Sequence, residues 1–255
     1  MVRKVYSWRS LADGTNWWKS LVMDIYIYIE GAGDEDDIEL LPRQRPGFRS
    51  GIRSGKETTT GLRAGFRKFF EELYNIAGEN HKIFLVMCGS RRDAYEDFKT
   101  ALESQPEAFN VLLIDSESPV SSTMTPWEHL RNRTEDQPWI LDAINFDNEQ
   151  CQLMVQTMEA WFIADIDALR TFYGQKFRED TIHQGMARYS SVEQVSKGTL
   201  RVWLSAATRR TEKKTYHKTN HAPKLLELLD VTTVRQASPY CDRLFATLQD
   251  IIKKP

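Results

Sequence analysis

The sequence predicts an α/β protein with a mostly parallel sheet, helices on both faces and a C-terminal helical extension. Strand-like and helix-like segments alternate along the chain, which favours parallel strands joined by helices. One candidate strand, Asn110–Ile114, is a continuous apolar run of the kind that is buried on both faces of a sheet. The chain has 255 residues, 41% of them hydrophobic, so it can bury a substantial core.

Local residue patterns place the individual elements. Runs of β-branched, aromatic or other apolar residues predict strands, and apolar residues at helical spacing predict helices. The predicted strands are Met23–Ile29, His81–Met87, Asn110–Ile114 and Cys151–Thr157. The predicted helices are Leu62–Ala77, Arg91–Ser104, Met158–Tyr173, His221–Leu229 and Pro239–Lys253. We expect loops over Pro42–Thr60, Pro119–Asn148 and the polar stretch after Gly174. The predicted division is an N-terminal extension at 1–23, a core at 24–175 and a C-terminal helical extension at 176–255.

Charge is balanced overall but segregated along the chain. The 34 Lys and Arg residues nearly match the 36 Asp and Glu residues, which excludes a globally basic protein that coats nucleic acid. Six acids occur within Glu30–Glu39, whereas Arg43–Lys68 holds eight basic residues and one acid, and Arg209–Lys224 holds six and one. Such blocks are typical of solvated loops. Acids flanked by bases also suit a metal-dependent phosphodiester site, where carboxylates hold the cation and bases hold phosphates.

The three cysteines, Cys88, Cys151 and Cys241, are odd in number and far apart, which argues against a disulfide framework or a zinc motif. The sequence contains no apolar run near the roughly 20 residues that span a bilayer. Residues 1–20 lack the apolar core of a signal peptide. We therefore expect a cytoplasmic protein that does not contact a membrane.

Other common site motifs are weak in this chain. His217 and His221 have a spacing that can bind zinc on a helix, but no third ligand is near, and a basic loop is the favoured interpretation. The sequence has no phosphate-binding loop of an ATPase and no nucleophile elbow of a hydrolase. The chain is therefore not expected to be an ATPase itself.

Acids follow three of the predicted strands. Glu30 follows the first strand, Asp115 and Glu117 follow the third, and Glu159 comes soon after the fourth. In open α/β sheets the functional crevice lies beyond the carboxyl ends of the strands. Hard divalent ions such as Mg²⁺ bind to a few carboxylates and several waters, so these four acids are the predicted metal ligands. The alternative is that each acid caps a turn or a helix, as acids at such boundaries often do.

Two tracts carry a resemblance to a known domain. Tyr28-Ile29-Glu30-Gly31, with Asp34 downstream, and the later Leu113-Ile114-Asp115-Ser116-Glu117 resemble the Toprim domain of topoisomerases, primases and overcoming-lysogenization-defect nucleases. That family has a Glu after its first strand and an Asp-x-Asp after its third. The resemblance implies a Toprim-like fold, in which Glu30 assists proton transfer while Asp115 and Glu117 bind Mg²⁺ or Mn²⁺. Asp34 matches an acid that often follows the first Glu-Gly.

A further tract narrows this resemblance. Residues 152–165 are similar to an uncharacterised family of bacterial Toprim-like proteins encoded beside ATPases in anti-phage defence islands. The later residues that share this likeness are Tyr216, Lys218, His221 and Ala222. The likeness spans roughly Asp24 to Leu248. It implies a Mg-dependent nuclease that cleaves DNA or RNA and acts as a defence effector. It also implies an ABC-type or AAA-type ATPase as partner and allows an oligomer.

The basic residues are the predicted contacts to nucleic acid. They are Arg43, Arg45, Arg49, Arg53, Lys56, Lys213, Lys214, Lys218 and His221. One departure from the Toprim pattern favours an alternative function: Glu117 stands where the family prefers Asp, and its longer side chain alters ion geometry or inactivates the site. The alternative is a catalytically inactive sensor module that docks on an ATPase. Phosphoacyl transfer at Asp115 in a receiver-like fold fits less well, because the chain lacks that class's compact size and paired first-strand acids.

Overall fold

The computed structural model describes residues 23–31, 56–137 and 146–254. In these ranges the strands are β1 (Met23–Glu30), β2 (His81–Cys88), β3 (Phe109–Asp115) and β4 (Cys151–Met154). The helices are α1 (Lys56–Phe69), α2 (Glu71–Ala77), α3 (Arg91–Ser104), α4 (Pro126–Asn132), α5 (Glu159–Ala164), α6 (Ile166–Tyr173), α7 (Asp180–Met186), α8 (Lys197–Thr208), α9 (Lys218–Leu228), α10 (Val231–Ala237) and α11 (Pro239–Lys253). The strands form a parallel sheet in the order β2-β1-β3-β4. The predicted α/β class with a helical C-terminal part is confirmed.

Helices cover both faces of the sheet. Alternate residues of β1 point to opposite faces, so Ile25, Ile27 and Ile29 belong to one buried cluster and Tyr28 to another. The first cluster packs against α1, α2 and the helices after β4, and the second packs against α3 and α4. The sheet is therefore buried from both sides, which accounts for the apolar run in β3.

The predicted helix Leu62–Ala77 differs from the observed structure at its start and its middle. Helix α1 begins at Lys56, inside the predicted loop, and Phe70 separates α1 from α2 with φ −92° and ψ 13°. Tertiary packing favours the longer helix: a Cβ atom at Gly65 would lie 2.6 Å from the carbonyl oxygen of Pro223, so α1 and α9 cross very closely. Phe70 is fully buried beside Phe66, and the chain bends to place it there.

The predicted helix Met158–Tyr173 is also divided, at Asp165. This residue has φ −116° and ψ 86°, and its side chain caps α6 by accepting a 3.0 Å hydrogen bond from the amide of Ala168. The same carboxylate accepts a 2.7 Å bond from the amide of Asp230, at the start of α10. A buried carboxylate thus ends one helix and joins two others, which a periodicity of apolar residues does not reveal.

Three helices lie in segments predicted to be irregular. Helix α4 occurs within Pro119–Asn148, and α7 and α8 follow Gly174. Pro126 starts α4 instead of breaking it, because the first helical position needs no amide donor and Thr125 forms a capping box there. The predicted strand Cys151–Thr157 ends earlier, at Met154.

Within the described residues, no helix combines the length and the apolar composition that a bilayer span requires.

Candidate metal centre

Three carboxylates meet at the carboxyl edge of the sheet. Glu30 is the last residue of β1, Asp115 is the last residue of β3, and Glu117 follows two residues later. One oxygen from each lies within 4.8 Å of the others. Because β1 and β3 are parallel neighbours, their carboxyl ends lie side by side. We call these residues the acid triad, and it could hold a metal ion, as predicted.

The backbone after β3 is shaped to bring Glu117 into the triad. The amides of Ser116 and Glu117 donate to the carbonyls of Met154 and Gln156 at 2.9 and 2.8 Å, so the chain continues to follow the β4 segment. Glu117 has φ 62°, in the left-handed region that side chains with a Cβ rarely adopt. Asp115 is 1% exposed, and its Oδ1 accepts a 2.9 Å hydrogen bond from the amide of Met158.

Each carboxylate of the triad has a cationic neighbour. The distance from Arg91 Nη1 to Glu30 Oε2 is 3.6 Å, and that from Lys218 Nζ to Asp115 Oδ2 is 3.7 Å. Lys197 Nζ donates to both carboxylate oxygens of Glu117, at 2.6 and 2.7 Å. Lys218 was predicted to bind nucleic acid, whereas Arg91 and Lys197 were missed. Arg91 begins α3 just beyond the end of β2, so its position at this edge could have been inferred from the sequence.

An arginine network holds the backbone of the triad from behind. Arg91 donates to the carbonyl of Asp115 at 2.5 Å and to both oxygens of Asp136 at 3.0 and 3.1 Å. Arg133 donates to Asp136 at 2.8 Å and to the carbonyl of Ser116 at 3.0 Å. The carboxylate of Asp136 is buried and satisfied by two guanidinium groups, which makes the network rigid.

Burial and crowding of negative charge set the proton affinities at the triad. Burial raises the pKa of Asp115 to about 7; the Lys218 ammonium opposes this shift, and the neighbouring carboxylates add to it. Burial also raises the pKa of Glu30, against the attraction of Arg91 and Lys218 and with the repulsion of Glu117. Raised carboxylate pKa values in a crowded site are typical of functional residues.

Glu159, the fourth predicted ligand, lies beside the triad and is not part of it. Its Oε1 accepts a 2.9 Å hydrogen bond from the hydroxyl of Tyr216. Burial alone would raise the pKa of Glu159, but the Lys218 ammonium and the Tyr216 hydroxyl bring it below its usual value. The carboxylate of Glu159 is turned to Tyr216. Its role as a metal ligand stays a prediction.

The remaining predicted residues fall into two groups. Asp34, Arg43, Arg45, Arg49 and Arg53 lie outside the described residues, and Lys56 is described only as the start of α1. Lys213 and Lys214 are exposed between α8 and α9, where the Lys213 ammonium lies 5.0 Å from the centre of the Phe172 ring. They are therefore placed on a solvent-facing loop, as a contact to phosphates requires.

His221 is held by hydrogen bonds at one ring nitrogen. Its Nδ1 accepts from the amide of His217 at 3.1 Å and pairs with the hydroxyl of Tyr173 at 2.9 Å. Burial, followed by the nearby His217 and Lys213, lowers the pKa of His221, so the ring is neutral near pH 7. Within the described parts of the chain, neither His217 nor His221 joins a group of three possible metal ligands.

The chain belongs to the family described as "Domain of unknown function (DUF4276)", whose model matches residues 58–249. The matched range contains Asp115, Glu117, Lys197 and Lys218 but begins after Glu30. Searches of curated proteins and of solved structures found no match. The family description names no activity.

Proposed function

We propose that this DUF4276 protein is a phosphodiester hydrolase that acts on DNA or RNA with Mg²⁺ or Mn²⁺ at the acid triad. The observation that carries the proposal is the convergence of Glu30, Asp115 and Glu117 within 4.8 Å. Oxygens about 2.1 Å from an octahedral Mg²⁺ are roughly 3 to 4.2 Å apart, so small side-chain movements adapt the triad to one ion. Oxygen donors suit hard cations of this class.

The residues of the triad have separate roles in this proposal. Asp115 and Glu117 hold the cation, which supplies stabilisation of negative charge on the phosphoryl group when it is bound. Glu30, whose pKa is raised by burial, exchanges a proton with the attacking water or the departing oxygen. In the reaction, the oxygen of water bonds to phosphorus as one P–O ester bond breaks, and a proton from that water ends on the departing oxygen, with Glu30 carrying protons between the two. Lys218 contacts the phosphate that is cleaved.

The surrounding charges support binding of a polyanion. The basic stretch Arg43–Lys68, together with Lys213 and Lys214, is proposed to contact the nucleic-acid backbone. Such contacts weaken steeply as the salt concentration rises, because salt cations compete with Lys and Arg for the phosphates. A titration of a labelled DNA duplex from 50 to 200 mM NaCl tests this part; an affinity that does not change with salt would exclude it.

The biological role in the proposal is that of a cytoplasmic effector of bacterial anti-phage defence with an ATPase partner. This part is supported only by the resemblance of residues 152–165 to proteins encoded beside ATPases. Co-expression of the tagged chain with an ATPase encoded next to it, followed by affinity purification, tests the partnership. Failure of the two chains to purify together would leave the hydrolase proposal standing without its partner.

The central experiment is cleavage of supercoiled DNA and of tRNA in Mg²⁺ and in Mn²⁺. The test variant is Glu30→Gln, and the control is Glu103→Gln, an exposed residue near the C-terminal end of α3, away from the acid triad. We expect wild type and control to cleave, and Glu30→Gln to be slower by at least about 100-fold, because a positioned proton donor contributes 10²–10⁴ in rate. Equal activity of wild type and Glu30→Gln would contradict the proposal.

One observation favours a second candidate, a binding module without turnover. Each of the three carboxylates has a basic side chain beside it that offsets part of its charge without a metal ion, from Arg91, Lys197 and Lys218. A surface of paired charges can serve as a docking surface, for example for an ATPase. Calorimetric titration with Mg²⁺ and Mn²⁺ separates the two functions: saturable binding that depends on Asp115 supports the hydrolase, and its absence supports the binding module.

A further inference from the structure

Two local exceptions to the usual sequence preferences meet in one contact at the triad. Glu117 has φ 62°, a backbone conformation that favours glycine. Lys197 is the first residue of α8, where its positive charge opposes the helix dipole. The ammonium of Lys197 nevertheless lies 2.6 and 2.7 Å from the two carboxylate oxygens of Glu117. Residues that disagree with local preference and converge in space are typical of functional sites.

The contact places Lys197 in competition with a cation. An ammonium group and a divalent ion on the same carboxylate repel each other, so an ion at Glu117 weakens the hold of that carboxylate on Lys197. The Lys197 side chain is 44% exposed and has a flexible four-carbon stem, so it can leave Glu117 without disturbing the core. Once it leaves, the ammonium remains one side-chain length from the triad and faces solvent, from which a phosphate must approach.

We propose that Lys197 is a phosphate anchor that the cation releases. Its ammonium pairs with Glu117 in the structure; when a divalent ion takes Glu117, the freed ammonium would bind the phosphodiester that contacts the same ion. This inference rests on the proposed function and adds to it a specific residue that binds substrate. It also explains why a lysine occupies the unfavourable first position of α8.

The other two cations of the site differ from Lys197 in ways that fit this assignment. Arg91 is 13% exposed and bound to Asp136, so it is fixed behind the triad. Lys218 Nζ is 3.7 Å from Asp115, beyond hydrogen-bonding distance, so it does not block that carboxylate. Lys197 alone of these three makes close bonds to both oxygens of a predicted metal ligand.

The test uses the full chain with Lys197→Met and two affinities. The first is the affinity for Ca²⁺, measured by calorimetry; the second is the affinity for a fluorescent oligothymidylate in saturating Ca²⁺, measured by anisotropy. We expect Lys197→Met to bind Ca²⁺ about two- to fivefold more tightly, because an exposed ion pair that competes with it is gone. It should bind the oligonucleotide about tenfold more weakly, because a charge-assisted contact is lost.

Three variants serve as comparisons. Lys197→Arg keeps the positive charge and should bind the oligonucleotide nearly as wild type does. Lys82→Met removes an exposed lysine at the amino end of β2, at the opposite edge of the sheet from the triad, and should change neither affinity. Lys197→Gln, which can still bond to Glu117, should shift both affinities in the same directions as Lys197→Met by smaller factors, and it replaces that variant should the latter unfold.

The outcomes separate this inference from the proposed function. A Ca²⁺ affinity that is unchanged or weaker in Lys197→Met, or an unchanged oligonucleotide affinity, shows that the pair is only structural and overturns the inference. If Lys197→Met gives one of these results while the wild-type protein still binds Ca²⁺ and the oligonucleotide, the proposed function survives. If the wild-type protein shows no saturable binding of Ca²⁺, Mg²⁺ or Mn²⁺, the proposed function fails and the inference fails with it.

Discussion

Strand β3 buries a polar side chain at each of its ends, and the two ends differ in chemistry. Asn110, near the amino end, is 0% exposed, and Asp115, at the carboxyl end, is 1% exposed. The amide nitrogen of Asn110 donates to the carbonyls of Gln105 and Ala108 at 3.4 Å, and its oxygen accepts from Tyr28 at 3.5 Å. Asp115 instead lies among other carboxylates and a half-exposed ammonium group.

The contrast distinguishes a buried polar group that supports the fold from one that is kept for function. Asn110 is neutral and is satisfied by fixed neighbours, so its burial is compatible with stability. Asp115 is an acid in a site that raises its pKa to about 7, so its ionised form is disfavoured in the metal-free protein. A position that disfavours its own charge at neutral pH is one that a cation would stabilise.

The largest expected effect is on metal binding by Asp115→Asn. The substitution removes a ligand charge but keeps an oxygen that can accept from the amide of Met158, so the fold should persist. We expect the Mn²⁺ affinity measured by calorimetry to fall by at least about 100-fold, the upper range for residues that only support a metal site. An unchanged affinity would remove the distinction between the two ends of β3.

The pH dependence of metal binding is the next effect in size. Because the pKa of Asp115 is raised to about 7, a cation must displace a proton from this carboxyl at lower pH. The apparent Mn²⁺ affinity should therefore fall about tenfold per unit below pH 7 and level off above it. Calorimetry at pH 6, 7 and 8 checks the slope, and a flat profile would contradict the assignment of Asp115 as a ligand.

Metal affinity should rise with pH, whereas the stability of the protein without metal should fall with pH. Asp115 ionises near pH 4 in the unfolded chain but near pH 7 in the folded one, so folding is disfavoured progressively as the pH rises between these values. Urea unfolding at pH 5 to 8 should show that Asp115→Asn becomes more stable than wild type as the pH increases. A constant difference between the two proteins would show that Asp115 does not titrate in this window.

Asn110→Ala tests the structural end of the strand. The variant leaves buried carbonyls and the Tyr28 hydroxyl without their partner, so we expect a loss of about 1–3 kcal/mol in the free energy of unfolding. Thermal unfolding should show a melting temperature lower by roughly 2 to 4 °C for each kcal/mol. Its Mn²⁺ affinity should match that of wild type; a weaker affinity would mean that the two ends are coupled.

The smallest stability change is expected for Glu117→Gly. Glycine relieves the left-handed conformation at φ 62°, worth about 1 kcal/mol, and the lost ion pair with Lys197 costs about the same or less. The melting temperature should therefore change by no more than about 4 °C, whereas Mn²⁺ binding is lost. A strongly destabilised variant would show that Glu117 supports the fold more than the site.

The acid triad could be predicted because its signal is local. Glu30 and Asp115 each end a strand that is recognisable from its own residues, and parallel neighbours bring such ends together. Lys197 lies 80 residues from Glu117 in the chain, and nothing in its own segment identifies the contact. Its position depends on how α8 packs, which local patterns do not specify. Asp136 was missed for the same reason, because its partners come from α3 and from the residue after α4.

The limits of one helix were predicted well and those of another poorly. Arg91–Ser104 was predicted with its observed limits. Met158–Tyr173 was not, because Asp165 divides it through bonds to two distant amides. The segment after Gly174 is polar on average, and its helices are stabilised by burying a few residues such as Leu200 and Leu204. Composition alone does not reveal such sparse packing.

The order of these residues in the chain has a consequence for biosynthesis. The ribosome completes Glu30, Asp115 and Glu117 before it adds Lys197 and Lys218, which belong to helices beyond the last strand. A nascent or truncated chain that stops after β4 therefore carries a concentration of negative charge without these two lysine counterions. The C-terminal helices complete the electrostatic balance of the crevice, and the crevice is finished only when they dock.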